Sequence, residues 1–181
     1  MDVLETIDAR YSVRGYRPDP VPDDVLAQVL EAARRAPTAA NRQPFRLIVI
    51  HTAGREEELA RIYGRRWFTQ PPLVVGVVAV PAEAWRRMDD KPYDEVDATI
   101  VMDHLILAAT SLGLGTCWIA AFDPTAAREV LGLPDDVEPI AFTPLGYPDK
   151  ASSKTDRRNR AEARWAPCPP PLLNPWSTTT L

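Results

Sequence analysis

The sequence is poor in the residues that hold metals and staple secreted folds: two cysteines and two histidines in 181 residues. Cys117 and Cys168 stand far apart, and neither joins His51 or His104 in a close-spaced cluster. A structural or catalytic zinc site is therefore not expected, and the two thiols are expected to be reduced. Positive charge is also scarce. Lys and Arg total 21 against 25 Asp and Glu, for a net charge of −4. Nucleic acid as main partner is disfavoured, because phosphate neutralisation needs a basic face. Long apolar runs are absent: no stretch approaches the roughly 18 residues that span a bilayer, and residues 1–10 lack the apolar core of a signal peptide. A cytoplasmic protein is expected. Walker, HExxH and GxSxG patterns are missing as well.

What is present suits one domain, with 45% hydrophobic and 25% charged residues. Proline is abundant, at 19. Five of these fall in 166–175, a segment that cannot be helical or pair centrally in a sheet.

Periodicity and punctuation predict helices over residues 2–9, 23–36, 55–63, 94–112 and 124–131, and strands over 45–51, 73–80, 116–121 and 139–145. Residues 81–92, with Pro81, Trp85, Arg86 and Pro92, read as an exposed connection or lid. The whole reads as α+β, a sheet of four or five strands with helices around it.

The 94–112 helix is unusual in carrying two polar stripes, Asp97, His104, Ser111 and Thr99, Asp103, Thr110. They divide a narrow apolar strip (Val96, Ile100, Leu107) from a broad one centred on Val101, Met102, Leu105 and Ile106. A surface helix ordinarily has one apolar stripe. Burial against a sheet and a second subunit would produce this pattern, as would a central position within one subunit.

Three stretches could carry chemistry. In Arg10-Tyr11-Ser12-Val13-Arg14, either extended or helical geometry gathers two guanidinium groups on one side. That arrangement suits a phosphate or an electron-rich ring edge; a solvated basic turn is the alternative. In Ala36-Pro37-Thr38-Ala39-Ala40-Asn41-Arg42-Gln43-Pro44-Phe45, small residues allow close backbone approach, and the two amides both donate and accept. By composition alone this is simply a loop. Gly113-Leu114-Gly115 lies between helix and strand, the reverse of the dinucleotide-binding order, and position 118 is Trp rather than the third glycine.

Together these stretches resemble the nitroreductase family, collinearly over residues 5–165. Arg10, Ser12, Arg14 and Tyr16 match its opening pattern, and residues 36–45 its alanine-proline-small-small-x-asparagine-x-glutamine-proline-aromatic stretch. The helix with Asp97, its run Leu107-Ala108-Ala109 through Gly115, and Pro144-Leu145-Gly146-Tyr147-Pro148 complete the likeness. Phe45 replaces the commoner tryptophan, Ala120-Ala121 lacks the acidic or glycine residue often found there, and nothing after Trp165 follows the family.

The resemblance implies a nitroreductase-like fold with a central four- to five-stranded mixed sheet flanked by helices. It also implies a swapped homodimer with FMN at its seam. Residues 1–165 would form the FMN-binding domain and 166–181 a proline-rich C-terminal arm. Arg10, Tyr11 and Ser12 would meet the phosphate or ribityl chain, and Arg14 the pyrimidine edge. Pro37, Thr38, Asn41 and Gln43 would line the ring from the other subunit. The backbone of Ile119, Ala120 and Ala121 would lie near flavin N5, which carries the hydride, so no catalytic side chain is implied. Lys154 and Arg157, or Arg158 or Arg160, would complete the phosphate site. The implied activity is hydride transfer from NAD(P)H to an electron-poor small molecule (nitroaromatic, quinone or similar) by a ping-pong route. A flavin-holding store or sensor without turnover is the alternative.

Overall fold

The computed structural model describes residues 1–149. The basic segment with Lys154, Arg157, Arg158 and Arg160, the 166–181 arm and Cys168 lie outside the described residues.

Helix α1 (Val3–Ala9) begins with a reciprocal cap: Asp2 Oδ1 accepts from the Glu5 amide, and Glu5 Oε2 accepts from the Asp2 amide, both at 2.9 Å. Helix α2 (Asp23–Arg34) follows Pro22, places Asp23 and Asp24 at its positive end, and stops before Pro37. Then come β1 (Phe45–His51), α3 (Glu56–Ile62), β2 (Leu73–Ala79), α4 (Asp94–Ser111), β3 (Gly115–Thr116), α5 (Pro124–Leu131) and β4 (Glu138–Gly146). Asp123 caps α5 by accepting from the Thr125 and Ala126 amides, and Gly132 ends it in the left-handed conformation, φ 61°.

The fold is α+β, as expected, with the lower of the two strand counts, but the sheet of the described residues is antiparallel rather than mixed. Strand order is β1-β2-β4-β3 and every ladder is antiparallel. The parallel pairing among the described residues is an isolated bridge from Ser12 to Thr116. Strand β2 is buried along its whole length, which is why it reads as an unbroken apolar run. Its alternate side chains feed two cores. Leu73, Val75, Val77 and Ala79 pack with α2 and α4, whereas Val74 packs with Leu59, Ile62, Phe68 and Phe142 beneath α3 and α5. Gly76 belongs to the second face, where a Cβ would stand 2.7 Å from the Phe142 ring.

The strand expected over 116–121 is shorter. The ladder stops at Thr116 and returns for a single bridge between Ile119 and Phe142. The cause lies opposite. Pro144 has no amide to offer, and the Cys117 amide donates instead to Thr143 Oγ1 at 3.0 Å. The chain leaves the sheet there, and Ala120 and Ala121 are exposed.

Helix α4 accounts for its own two-stripe pattern. The broad strip is core, with Val101, Met102 and Leu105 fully buried. The narrow strip stays at the surface: Val96 is exposed, and Ile100 and Leu107 are half-buried. Beside it, α1 exposes Val3, Leu4 and Ile7, and Met1, Val3, Leu107 and Ala108 line a shallow apolar cavity between the two helices. No helix among the described residues is long and apolar enough to cross a membrane.

Candidate functional site

Residues 10–16 run extended along the β3 edge of the sheet. The Val13 amide donates to the Thr116 carbonyl at 2.8 Å, and Tyr16 bridges Pro148. Val13 and Tyr16 turn inward, 3% and 2% exposed. The Tyr16 hydroxyl donates back to the Val13 carbonyl at 2.8 Å, and its amide donates to Gln70 Oε1. Burial pushes the Tyr16 pKa far up, so the phenol stays a neutral donor.

With Val13 inside, strand alternation puts Ser12 and Arg14 on the other side. They meet Cys117 there. Burial raises the pKa of this thiol; Arg14, Ser12 and Arg10 lie close enough to draw it partly back down. The structure thus gathers Arg10, Ser12 and Arg14 at one place. Tyr11, half-buried, stands between them in sequence. Neither arginine forms an ion pair among the described residues. Arg14 instead lies over the Trp67 ring, 5.8 Å from its centroid. Guanidinium groups with no ion pair among the described residues retain donors that an anion could accept.

Close approach to β3 depends on Gly115, where a Cβ would sit 2.9 Å from Val13 Cγ2. We expect Gly115→Val to cost about 1–3 kcal/mol in chemical denaturation through overpacking. Adding Val13→Ala is expected to recover part of that loss; equal stability of Gly115→Val and the parent would show that the contact is loose.

Along the same edge lie Ile119, Ala120 and Ala121. Ile119 exchanges both backbone bonds with Phe142. The Ala120 and Ala121 amides have no acceptor among the described residues; they follow by four and five positions Thr116, which bridges Ser12 of the arginine segment.

The loop before β1 has a different character. Ala40, Asn41 and Gln43 all adopt positive φ, 50°, 55° and 53°. Asparagine tolerates this region; alanine and glutamine do so at a cost. Thr38 Oγ1 accepts from the Gln43 amide, and the Gln43 side chain donates to Asn41 Oδ1. Pro37, Asn41 and Gln43 are exposed and Thr38 is half-buried. From outside, Asp97 Oδ1 accepts from the Ala39 amide at 2.9 Å, and the Val80 amide donates to the Pro44 carbonyl.

These two sets do not meet within one chain. The loop enters the sheet at Phe45, level with Ala79 and Glu138; the N-terminal segment lies level with Thr116, Leu145, Leu73 and His51. The six residue steps from Phe45 to His51 span about 20 Å of strand. Asp97, by the loop, and Ser111, at the end of α4 that leads into β3, stand about 21 Å apart at 1.5 Å per residue.

Sequence reasoning identified neither Trp67 as the platform under Arg14 nor Asp97 as the loop's anchor. Asp97 stands in the sequence as a member of a polar stripe and of a family-like helix, with no sign of what it holds, and Trp67 carries no periodic signal.

The sequence model of the Nitroreductase family matches residues 7–69 and 63–147. An NADH dehydrogenase of Thermus thermophilus is 29% identical over 170 residues, covering 77% of this chain and 83% of its own. The Bacillus subtilis protein named FMN reductase (NAD(P)H) is 28% identical, with 86% of this chain and 70% of its own covered. In structure, a nitroreductase family protein from Clostridium difficile superposes with a TM-score of 0.80 at 36% identity, over 90% of this chain and 96% of that one. A match that takes in both the arginine segment and the strained loop, on a shared fold, has one meaning: the chain belongs to the nitroreductase family.

Proposed function

We propose that this chain is an NAD(P)H-dependent flavin oxidoreductase, active as a homodimer that holds FMN between its subunits and reduces an electron-poor acceptor such as a nitroaromatic or quinone. The observation that carries the reading is the split site. Cation-rich and amide-rich halves lie at opposite ends of one protomer, so a single ligand touching both needs a second copy of the chain.

The residues fit the cofactor. Arg10 and Arg14, unpaired among the described residues, offer five donors each in a fixed fork, which matches phosphate and the oxygen-bearing ring edge. Ser12 adds a hydroxyl, and the free Ala120 and Ala121 amides supply donors for a ring nitrogen. Across the seam, Pro37 and Thr38 offer a flat surface, while Asn41 and Gln43 provide amides. The narrow strip of α4 and the apolar side chains of α1 supply the subunit contact.

Bound FMN would supply two-electron hydride chemistry, which no side chain here provides. The residues named above would bind and orient the cofactor. In this reading NAD(P)H and the acceptor would use the same site in turn, giving ping-pong kinetics.

Mixing the yellow protein anaerobically with NADH and then NADPH tests the proposal. Bleaching of the flavin band near 450 nm (roughly its usual position) is expected with at least one donor. No bleaching with either would mark a protein that stores or senses flavin instead.

A further inference from the structure

We infer that Asp97 is a positioning residue: acting through the Ala39 amide, it holds the 38–43 loop in the left-handed backbone that presents Asn41 and Gln43. The inference rests on the proposed role of that loop as one wall of the flavin site, and extends it to a side chain on a different element.

Three observations converge. First, the loop is strained. Ala40, Asn41 and Gln43 stand at positive φ within four positions, a backbone that alanine and glutamine hold only at a cost. Such strain persists only where surrounding structure over-determines the conformation. The bonds from Thr38 to Gln43 and from Gln43 to Asn41 lie within the loop and move with it. Attachment to the rest of the protein comes at the two ends, from Val80 to the Pro44 carbonyl and from Asp97 to the Ala39 amide.

Second, Asp97 occupies an expensive place. It is 2% exposed, one turn from Asp94, which is 3% exposed. Its Oδ2 is buried without a hydrogen-bond partner among the described residues. Burying a carboxyl group with a single bond costs stability, and an apolar side chain at this α4 position would pack more cheaply. The compensating interaction is the bond to Ala39.

Third, that bond falls just before the first left-handed residue. Asp97 Oδ1 fixes the direction of the Ala39 amide, and Ala40 is the next residue. Oδ1 accepts whether the carboxyl group is charged or neutral, so an amide side chain of the same shape serves equally.

Three variants of the full-length yellow protein test this. Asp97→Ala removes the acceptor and Asp97→Asn retains it. Ala39→Pro removes the donor while leaving the helix untouched; Thr38, at φ −131° and ψ 154°, already has the backbone that precedes proline. Two readouts are needed: hydrogen exchange at loop amides 39–43, and FMN release on dilution, followed by flavin fluorescence.

Asp97→Ala is expected to speed exchange and to weaken FMN retention, each about tenfold, the worth of one well-made hydrogen bond. Ala39→Pro should weaken FMN retention similarly, whereas Asp97→Asn should stay within about threefold of the parent on both readouts. Unchanged loop exchange in Asp97→Ala overturns the inference, as does unchanged FMN retention in both Asp97→Ala and Ala39→Pro. If the parent binds no FMN, the flavin reading fails by itself, and the exchange measurement still decides whether Asp97 holds the loop.

Discussion

Replacing Arg10 and Arg14 together by alanine is expected to weaken FMN binding by about three orders of magnitude. Charge-assisted hydrogen bonds contribute about 1.5–3 kcal/mol each, and each guanidinium lost removes at least one. The fold should barely notice. Neither arginine pairs with a carboxylate among the described residues, and Arg14 gives up its contact with the Cys117 thiol and its place over Trp67, the latter worth about 0.5–1 kcal/mol at an exposed site. The variant should therefore purify colourless yet melt close to the parent. Replacing both arginines by lysine keeps the charge and loses the fork, so an intermediate affinity is expected. Added salt should weaken FMN binding in the parent more than in the alanine variant. A double alanine variant that purified with a full complement of flavin would remove the phosphate assignment.

Elements whose sequence carried its own punctuation were legible in advance. Strand β1 falls on the expected 45–51, and α5 on the expected 124–131. The third strand was not legible. Its residues have the right composition, but pairing also depends on what the neighbour offers, and there Pro144 offers no amide and Thr143 intervenes.

The site was legible in the same uneven way. Arg10, Ser12 and Arg14 come together because alternation along an extended segment is a local property. The distance between that cluster and the loop at residue 37 is set by sheet register, which no local pattern encodes. Helix α4 shows the limit most directly. A helical wheel gives the angle of Asp97 but not what covers it, so the same stripe contains a buried anchor, a half-buried His104 and an exposed Ser111.

Complementation between two inactive chains should restore activity. One chain carries Arg10→Ala and Arg14→Ala; the other carries Asn41→Ala and Gln43→Ala. Either homodimer has two sites, each missing the same half, so NAD(P)H oxidation should be lost with the first and strongly reduced with the second. In a mixed dimer the defects segregate. If each site draws its arginines from one subunit and its amides from the other, one site of the pair receives both defective halves and the other receives both intact ones. Random pairing makes half of the dimers mixed, so about one site in four should be intact. Bound flavin and turnover should rise together to that fraction when the chains are co-expressed. Mixing the folded homodimers should restore activity only as fast as subunits exchange. Were each site built within a single chain, no mixed dimer would contain an intact one, and co-expression would yield only the average of the two defective parents. The outcome depends on topology: β1 carries the loop to one end of the sheet and β3 holds the arginines at the other, and in the proposed dimer a second copy of the chain would bring the two ends to one ligand.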